Sequence, residues 1–380
     1  MSPRERVEAA FAHRETDRVP IHHIGFSARA ASILLGREAY VGGGIQQWRE
    51  AQALWEGEEA HQEFLERSFR DALDLALVLD QDLIRPDYWR LAEKPRQRID
   101  EYTFLYGDLE GKWQVRRFDP ETELYQVIDW GPKVEPTFAD LEKQVAAAEK
   151  AVEDYQPGEE NFGFAFRAQR LWGEERAVRV GGVGLGIPRE EIWLAAVAAR
   201  PDLVARLLDV QVERAVRNIA FLAPHGFRYL FGGGDFASNE GPLYSPRAFR
   251  ELMLPRLERI SAACQQQGVY HLFASDGNLW PVADDLFGRS GVDGFYEIDR
   301  RAGMDLGQLR ARFPHLTLLG NISSYTLHRG TKEEVIAETL SCLEEAKRSG
   351  SIVVGCSNQI VSPTPPENLL ALVETIREWR

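Results

Sequence analysis

The sequence predicts an α/β fold, a (β/α)8 TIM-type barrel carrying an antiparallel hairpin or meander insertion. Three observations predict it. Four short apolar runs, FGGGD, LFASDG, LTLLGN and IVVGC, each reach a small residue and then one polar group: Asp235, Asp276, Asn321 and Cys356. Each run is strand-length and is followed by an amphipathic stretch long enough for a helix, the alternation that builds a parallel sheet. The length of 380 residues suits one such barrel with insertions, and functional groups of these barrels gather at the C-terminal ends of the strands.

The elements follow in order. Ser2-Pro3-Arg4-Glu5 reads as an N-cap with proline at the first helical position, and Val7, Ala10 and Phe11 supply one apolar face of a helix ending near His13. RVPIHHI (Arg18 to Ile24) is the first strand candidate and LALVLDQDL (Leu75 to Leu83) the second, with Asp82 near its end. From Tyr102 to Trp130 apolar and polar residues alternate between turn-like breaks, which predicts a β-rich insertion decorating the barrel. A helix is expected over Phe138 to Val152, then strands at FGFAFRA and AVRVGGVG, a helix from Asp202 to Leu222, and a further strand, GVDGFYEI, between the second and third of the opening four. That makes nine candidates for eight places, so one of the two before Gly184 is expected outside the barrel. No Ser/Gly linker, low-complexity tract or short repeat divides the chain, so residues 1–380 are expected to form one domain with the inserted segment at about 102–130.

A net charge of −14 and a pI near 5.2 argue against nucleic acid and anionic membrane as partners, because both require a basic footprint. Cys264, Cys342 and Cys356 are an odd number without disulfide-like spacing, as expected in a reducing compartment. The N-terminus carries Glu and Arg without an apolar stretch, and no run approaches the roughly 18 apolar residues of a membrane span. A cytoplasmic protein with a small-molecule substrate is the expectation.

Candidate chemistry lies at the strand ends. Asp82, Asp235 and Asp276 come from three of them and can act as general acid, base or hydrogen-bond acceptor if they converge; otherwise they cap helices. Cys356 at the end of the last strand is a candidate nucleophile or metal ligand, or a packed core thiol. His271 precedes Asp276 by five residues, so on a regular strand the two face opposite ways; it is a metal-ligand candidate or a hydrogen-bonded structural histidine. His22 and His23 are adjacent, so one faces the lumen and the other the helices. GGVGLG and GGG match no phosphate loop and read as turns or close backbone approaches. Trp193, Phe236, Trp280 and Tyr325 follow strand ends and either line an apolar pocket or pack in the core.

With ETDRVP, LVLDQDL, SPRAFRELMLPRL (Ser245 to Leu257), FASDGN (Phe273 to Asn278), LGNIS (Leu319 to Ser323) and GCSNQIVSPTPPENL, the chain resembles the uroporphyrinogen decarboxylase superfamily, which includes cobalamin-linked methyltransferases. The resemblance implies the (β/α)8 barrel and makes a homodimer reasonable. Where the decarboxylase carries two substrate-binding arginines four residues apart, this chain has Gly25 and Arg29. Uroporphyrinogen, with its eight carboxylates, is therefore not the expected substrate. Asp82 matches the family's catalytic aspartate. Cys356 stands where thiol-activating methyltransferases place one zinc ligand, but their His-x-Cys pair reads Ala274-Ser275-Asp276 here. The implied zinc site is an altered one, with Cys356, Asp276 and a histidine, His271 or else His22 or His23, as donors.

The leading expectation is a methyltransferase-like enzyme moving a methyl group between a small methoxylated or methylated substrate and a corrinoid (cobalamin) carried by a partner protein. In it Asp82, Asp235, Asp276 and Cys356 are catalytic, while His22, His23, Arg29, His271 and Asn321 bind substrate. The alternatives are a decarboxylase of a small carboxylic acid, with Arg29 holding a carboxylate, and a small-molecule-binding barrel without turnover.

Overall fold

The computed structural model describes residues 1–380. Seven short strands form a parallel sheet: β1 (Leu83–Ile84), β6 (Ala177–Gly181), β7 (Tyr229–Gly233), β8 (Tyr270–Ala274), β9 (Gly294–Tyr296), β10 (Thr317–Leu319) and β11 (Ile352–Val353), neighbours in that order. The extended segment Pro20–Ile24 closes the ring. Ile21 bridges Val354 in parallel, the His22 N–H donates to the Val354 carbonyl at 3.0 Å, and the Ile21 carbonyl accepts from the Asp82 N–H at 2.9 Å. This makes an eight-stave α/β barrel, as predicted.

Between β1 and β6 lies a four-stranded antiparallel sheet of β2 (Gln97–Arg98), β3 (Thr103–Gly107), β4 (Trp113–Asp119) and β5 (Leu124–Gly131). It packs on the helix Gly44–Glu56, where Trp48 stacks on Phe118 with ring centroids 4.3 Å apart. Glu123 ties it to the barrel mouth by accepting from the Ala28 and Arg29 N–H groups, both at 2.9 Å, at the start of the helix Ala28–Leu35. A carboxylate suits that position because it meets unpaired amides and the positive end of the helix dipole.

Side-chain alternation sorts the core into two shells. Ile24, Leu83, Ala177, Tyr229, Leu272, Ala274, Tyr296, Leu319 and Val353 fill the lumen, and Val7 and Phe11 of the helix Pro3–Phe11 plug its N-terminal mouth. The opposite strand faces join the larger core beneath the surrounding helices. Ser2 caps the plug helix in a capping box with Glu5, as the sequence suggests.

Two strand expectations are corrected. Leu75 to Val78 belong to the helix Glu58–Val78, which buries Phe69, Ala72, Leu73 and Ala76 at helical spacing, and only Leu83–Ile84 is strand. FGFAFRA is also helical, a short 3₁₀ turn at Glu159–Phe162 followed by the helix Ala165–Trp172, with Phe162 and Phe166 packed on Phe221. Short apolar runs do not reveal their period, and in both cases a helical partner decided it.

Candidate functional site

The barrel mouth is built by strand phase. On β8, Tyr270, Leu272 and Ala274 point inward, and continuing the alternation brings Asp276 inward. On β7, Tyr229 does the same for Asp235. Gly232 lets the segment after β6 approach, since a Cβ there would sit 2.1 Å from the Val183 carbonyl oxygen. The third group is Glu297, which the sequence reading missed. Tyr296 already faces inward, so strict alternation sends Glu297 outward, but its φ of +60° turns the chain. Left-handed backbone at a non-glycine residue is uncommon and concentrates at functional sites.

Asp235, Asp276 and Glu297 thereby converge, with one carboxylate oxygen of each within 4.8 Å of the others. Burial pushes Asp276 up to about 7, with the charges of Asp235 and Asp299 adding to it. Burial likewise pushes Glu297 up to about 8, reinforced by Asp276 and Asp235. Like charges in a desolvated cluster cannot all ionise, so the group holds protons near neutral pH. Asn358 donates to Asp276 at 2.6 Å, the Asp276 N–H donates to Asp235 at 3.3 Å, and Arg189 lies 3.6 Å from Asp235.

Opposing charge comes from two further residues that the sequence reading missed, Arg85 just beyond β1 and Arg179 on the lumen face of β6. Both moderate the rise at Glu297. Arg85 donates to the Ile24 and Asp87 carbonyls, each at 2.6 Å. A Cβ on Gly25 would lie 3.0 Å from its guanidinium, so Arg85 occupies the space beside the position where the resemblance expects an arginine. Arg179 lies over the Phe231 ring at 4.2 Å, and one of its terminal nitrogens, Nη1, is buried without a partner. The Tyr296 hydroxyl and His22 Nε2 are buried without partners as well. His22 Nδ1 lies 2.6 Å from the Leu83 carbonyl, which can only accept, so Nδ1 carries the proton and Nε2 presents a lone pair.

The remaining candidates fall elsewhere. Asp82 precedes β1 and lies at the N-terminal, stabilising end of the barrel; it is fully buried, paired with Arg6 and Arg380, and accepts from the Ile21 N–H at 2.7 Å. Its expected position at the rim is corrected, because its supposed strand is a helix. Cys356 is two residues beyond outward-facing Val354 and joins the core beneath the helices, where burial pushes its thiol up to about 12. His271 also faces outward, bonded through Nδ1 to Ser261 at 2.8 Å, and burial pushes it down to about 4. Cys356, Asp276 and His271 therefore do not form a zinc site, since two of the three point away from the lumen. The donors that do converge are all carboxylates, hard ligands, rather than the mixed sulfur, oxygen and nitrogen set expected.

Asn321 is fully buried and donates to the Met304 carbonyl at 3.0 Å, so its amide is structural rather than presented to a ligand. His23 accepts from the Cys356 N–H at 3.1 Å and faces outward, which leaves His22 as the lumen histidine. Arg29 is exposed on its rim helix. Trp193 and Phe236 pack in the outer core.

No helix is long and apolar enough to cross a membrane. In sequence, 184 residues are 28% identical to a methylcobamide:CoM methyltransferase MtaA of Methanosarcina barkeri, covering 47% of this chain and 50% of that protein. A uroporphyrinogen decarboxylase of Anaeromyxobacter sp. (strain Fw109-5) is 29% identical over 132 residues, 34% of this chain and 36% of that one. The chain thus spans half or less of the curated relatives it matches. A solved methyltransferase from Methanosarcina mazei superposes with a TM-score of 0.65 at 17% identity, covering 100% of this chain and 99% of the other, a likeness of fold. The family model described as Uroporphyrinogen decarboxylase (URO-D) matches residues 188–379, the half that supplies Asp235, Asp276 and Glu297. With an eight-stave barrel and its strand-end carboxylates in that half, the chain belongs to the uroporphyrinogen decarboxylase (URO-D) family.

Proposed function

We propose that this protein moves a methyl group between a small methoxylated or methylated substrate and a corrinoid carried by a partner protein. The observation that carries the reading is the convergence of Asp235, Asp276 and Glu297, in which Asp276 and Glu297 hold their protons near neutrality. Removing a methyl group from an ether oxygen leaves an alkoxide or phenoxide, and a carboxylic acid poised near pH 7 to 8 can protonate that oxygen as it leaves. The corrinoid, when docked, supplies the methyl acceptor. Asp276, steadied by Asn358, and Glu297 are the candidate acids, and Asp235 keeps both protonated. Arg179, the Tyr296 hydroxyl and His22 Nε2 orient polar groups of the substrate. The methyltransferase relative from Methanosarcina barkeri supports this class.

The guanidinium groups of Arg85 and Arg179, uncompensated by any carboxylate partner, favour a second reading, decarboxylation of a small acid. Neither has a carboxylate within 4.0 Å, so either can take the substrate's carboxylate, and Glu297 can protonate the carbanion left after CO2 departs. The two readings separate in one experiment. Methoxylated substrates are incubated with the protein and a cob(I)alamin-loaded partner, and the visible spectrum is followed alongside CO2 release. Conversion to methylcob(III)alamin that Glu297→Gln and Asp276→Asn slow by about 10²-fold or more is the expected result. CO2 release without a spectral change transfers the assignment to decarboxylation.

A further inference from the structure

At the opposite end of the barrel a cleft of about 700 Å³ opens between the turn after the plug helix, the end of the helix Lys332–Ser349 and the helix Leu306–Arg312. Its lining is unusually cationic for a chain of net charge −14. Several of its charges are accounted for: Arg18 pairs with Asp80, Arg348 with Glu345, and Asp17 with Arg6 and the N-terminal amine. Three cations are not. Arg14 and Lys347 make no side-chain hydrogen bond and have no carboxylate within 4.0 Å, and Arg310 reaches only the Leu316 carbonyl, at 2.6 Å.

Two guanidinium Nε atoms on this lining, those of Arg310 and Arg380, are buried without partners, and the Arg380 side chain is only 5% exposed. A donor desolvated and left unpaired is costly. Lys347 and Arg310 each lie in the last turn of a helix, where the dipole favours a cation, but Arg14 has no such offset, and none of the three has a carboxylate partner. Glu15, the one acidic lining residue without a partner, leaves the cleft net positive.

We propose that this cleft binds a phosphorylated small molecule, with Arg14, Arg310 and Lys347 as the charged contacts. Guanidinium forks match phosphate oxygens in pairs, and an ammonium adds a point charge. The volume suits a ligand the size of a nucleotide. The site is remote from the carboxylates at the other mouth and does not depend on the reaction assigned to them.

The test is calorimetric titration of the intact protein with pyrophosphate at low ionic strength, where surface charge is least screened. Saturable one-site binding is expected. The Arg14→Ala/Lys347→Ala double variant, which changes two exposed residues and is checked for fold by circular dichroism, should bind at least about tenfold more weakly. Arg247→Ala, an exposed arginine paired with Glu251 elsewhere, should bind as wild type does. Absence of saturable binding, full affinity in the double variant, or acetate binding as tightly as pyrophosphate would each overturn the proposal.

Discussion

Replacing Asp235 with asparagine removes a negative charge from a cluster whose other two members depend on it. Asp235 follows burial among the causes that raise Asp276, and follows burial and Asp276 among those that raise Glu297. A unit charge at the outer bound of 4.8 Å, in a medium of effective dielectric about 20, is worth about 3.5 kcal/mol, or about 2.5 pH units. The Asp235 side chain is 37% exposed and Arg189 lies 3.6 Å from it, so solvent and counter-charge leave about one unit of that effect. The direction is unambiguous: losing a negative neighbour makes each remaining carboxyl easier to ionise. The expected outcome for Asp235→Asn is that the midpoints of Asp276 and Glu297 fall by about one unit from about 7 and about 8. Carbon-13 NMR titration of the labelled side-chain carboxyls reads this directly. The alkaline limb of kcat/KM should move to lower pH by the same amount if either group is the general acid. Midpoints that stay put or rise would refute the coupling and the acid assignment together.

Three further outcomes follow from the same geometry. Because Glu297 holds its proton to a higher pH folded than unfolded, the stability it contributes is full below about pH 4 and is lost as pH rises through about 8; Glu297→Gln should flatten the decline of Tm between pH 5 and pH 8, and an unchanged slope counts against the shift. Asp82→Asn should destabilise the fold by about 3–5 kcal/mol in urea titrations, because Arg6 and Arg380 lose a buried counter-charge, while the folded fraction keeps the rim intact; a rim role requires instead lost turnover at unchanged stability. Cys356→Ala should cost about 1 kcal/mol and leave metal content and turnover near wild type, and a stoichiometric zinc lost in this variant would restore the thiol as a ligand.

The strand-end runs led to Asp235 and Asp276 because small residues before a polar one mark where a strand stops and a rim begins. Glu297 escaped the same reading: in GVDGFYEI it occupies an outward phase, and one left-handed torsion brings it in. Arg179 is visible as a lone charge inside the apolar run AVRV, at the spacing that puts it beside Ala177 in the lumen, whereas Asn358 shares the phase of outward-facing Cys356 and reaches Asp276 only because the chain bends after the strand. His271 faces away from Asp276, as their five-residue spacing predicts, and Cys356 stands at a strand end but in the outward phase. Asp82 misled through an apolar run that proved to be helix.

By itself the sequence determined the barrel, its β-rich insertion and the end of the strands where polar groups collect. Those features rest on segment length, hydrophobic period and turn residues, which act over a few neighbours. Only the tertiary structure decided which side chains share the mouth. That depends on the phase of each strand relative to the ring and on where every buried charge finds a partner. It joined Glu297 to Asp235 and Asp276, set Arg85 and Arg179 nearby, turned Cys356 and His271 away, and committed Asp82 to holding the barrel closed at its other end.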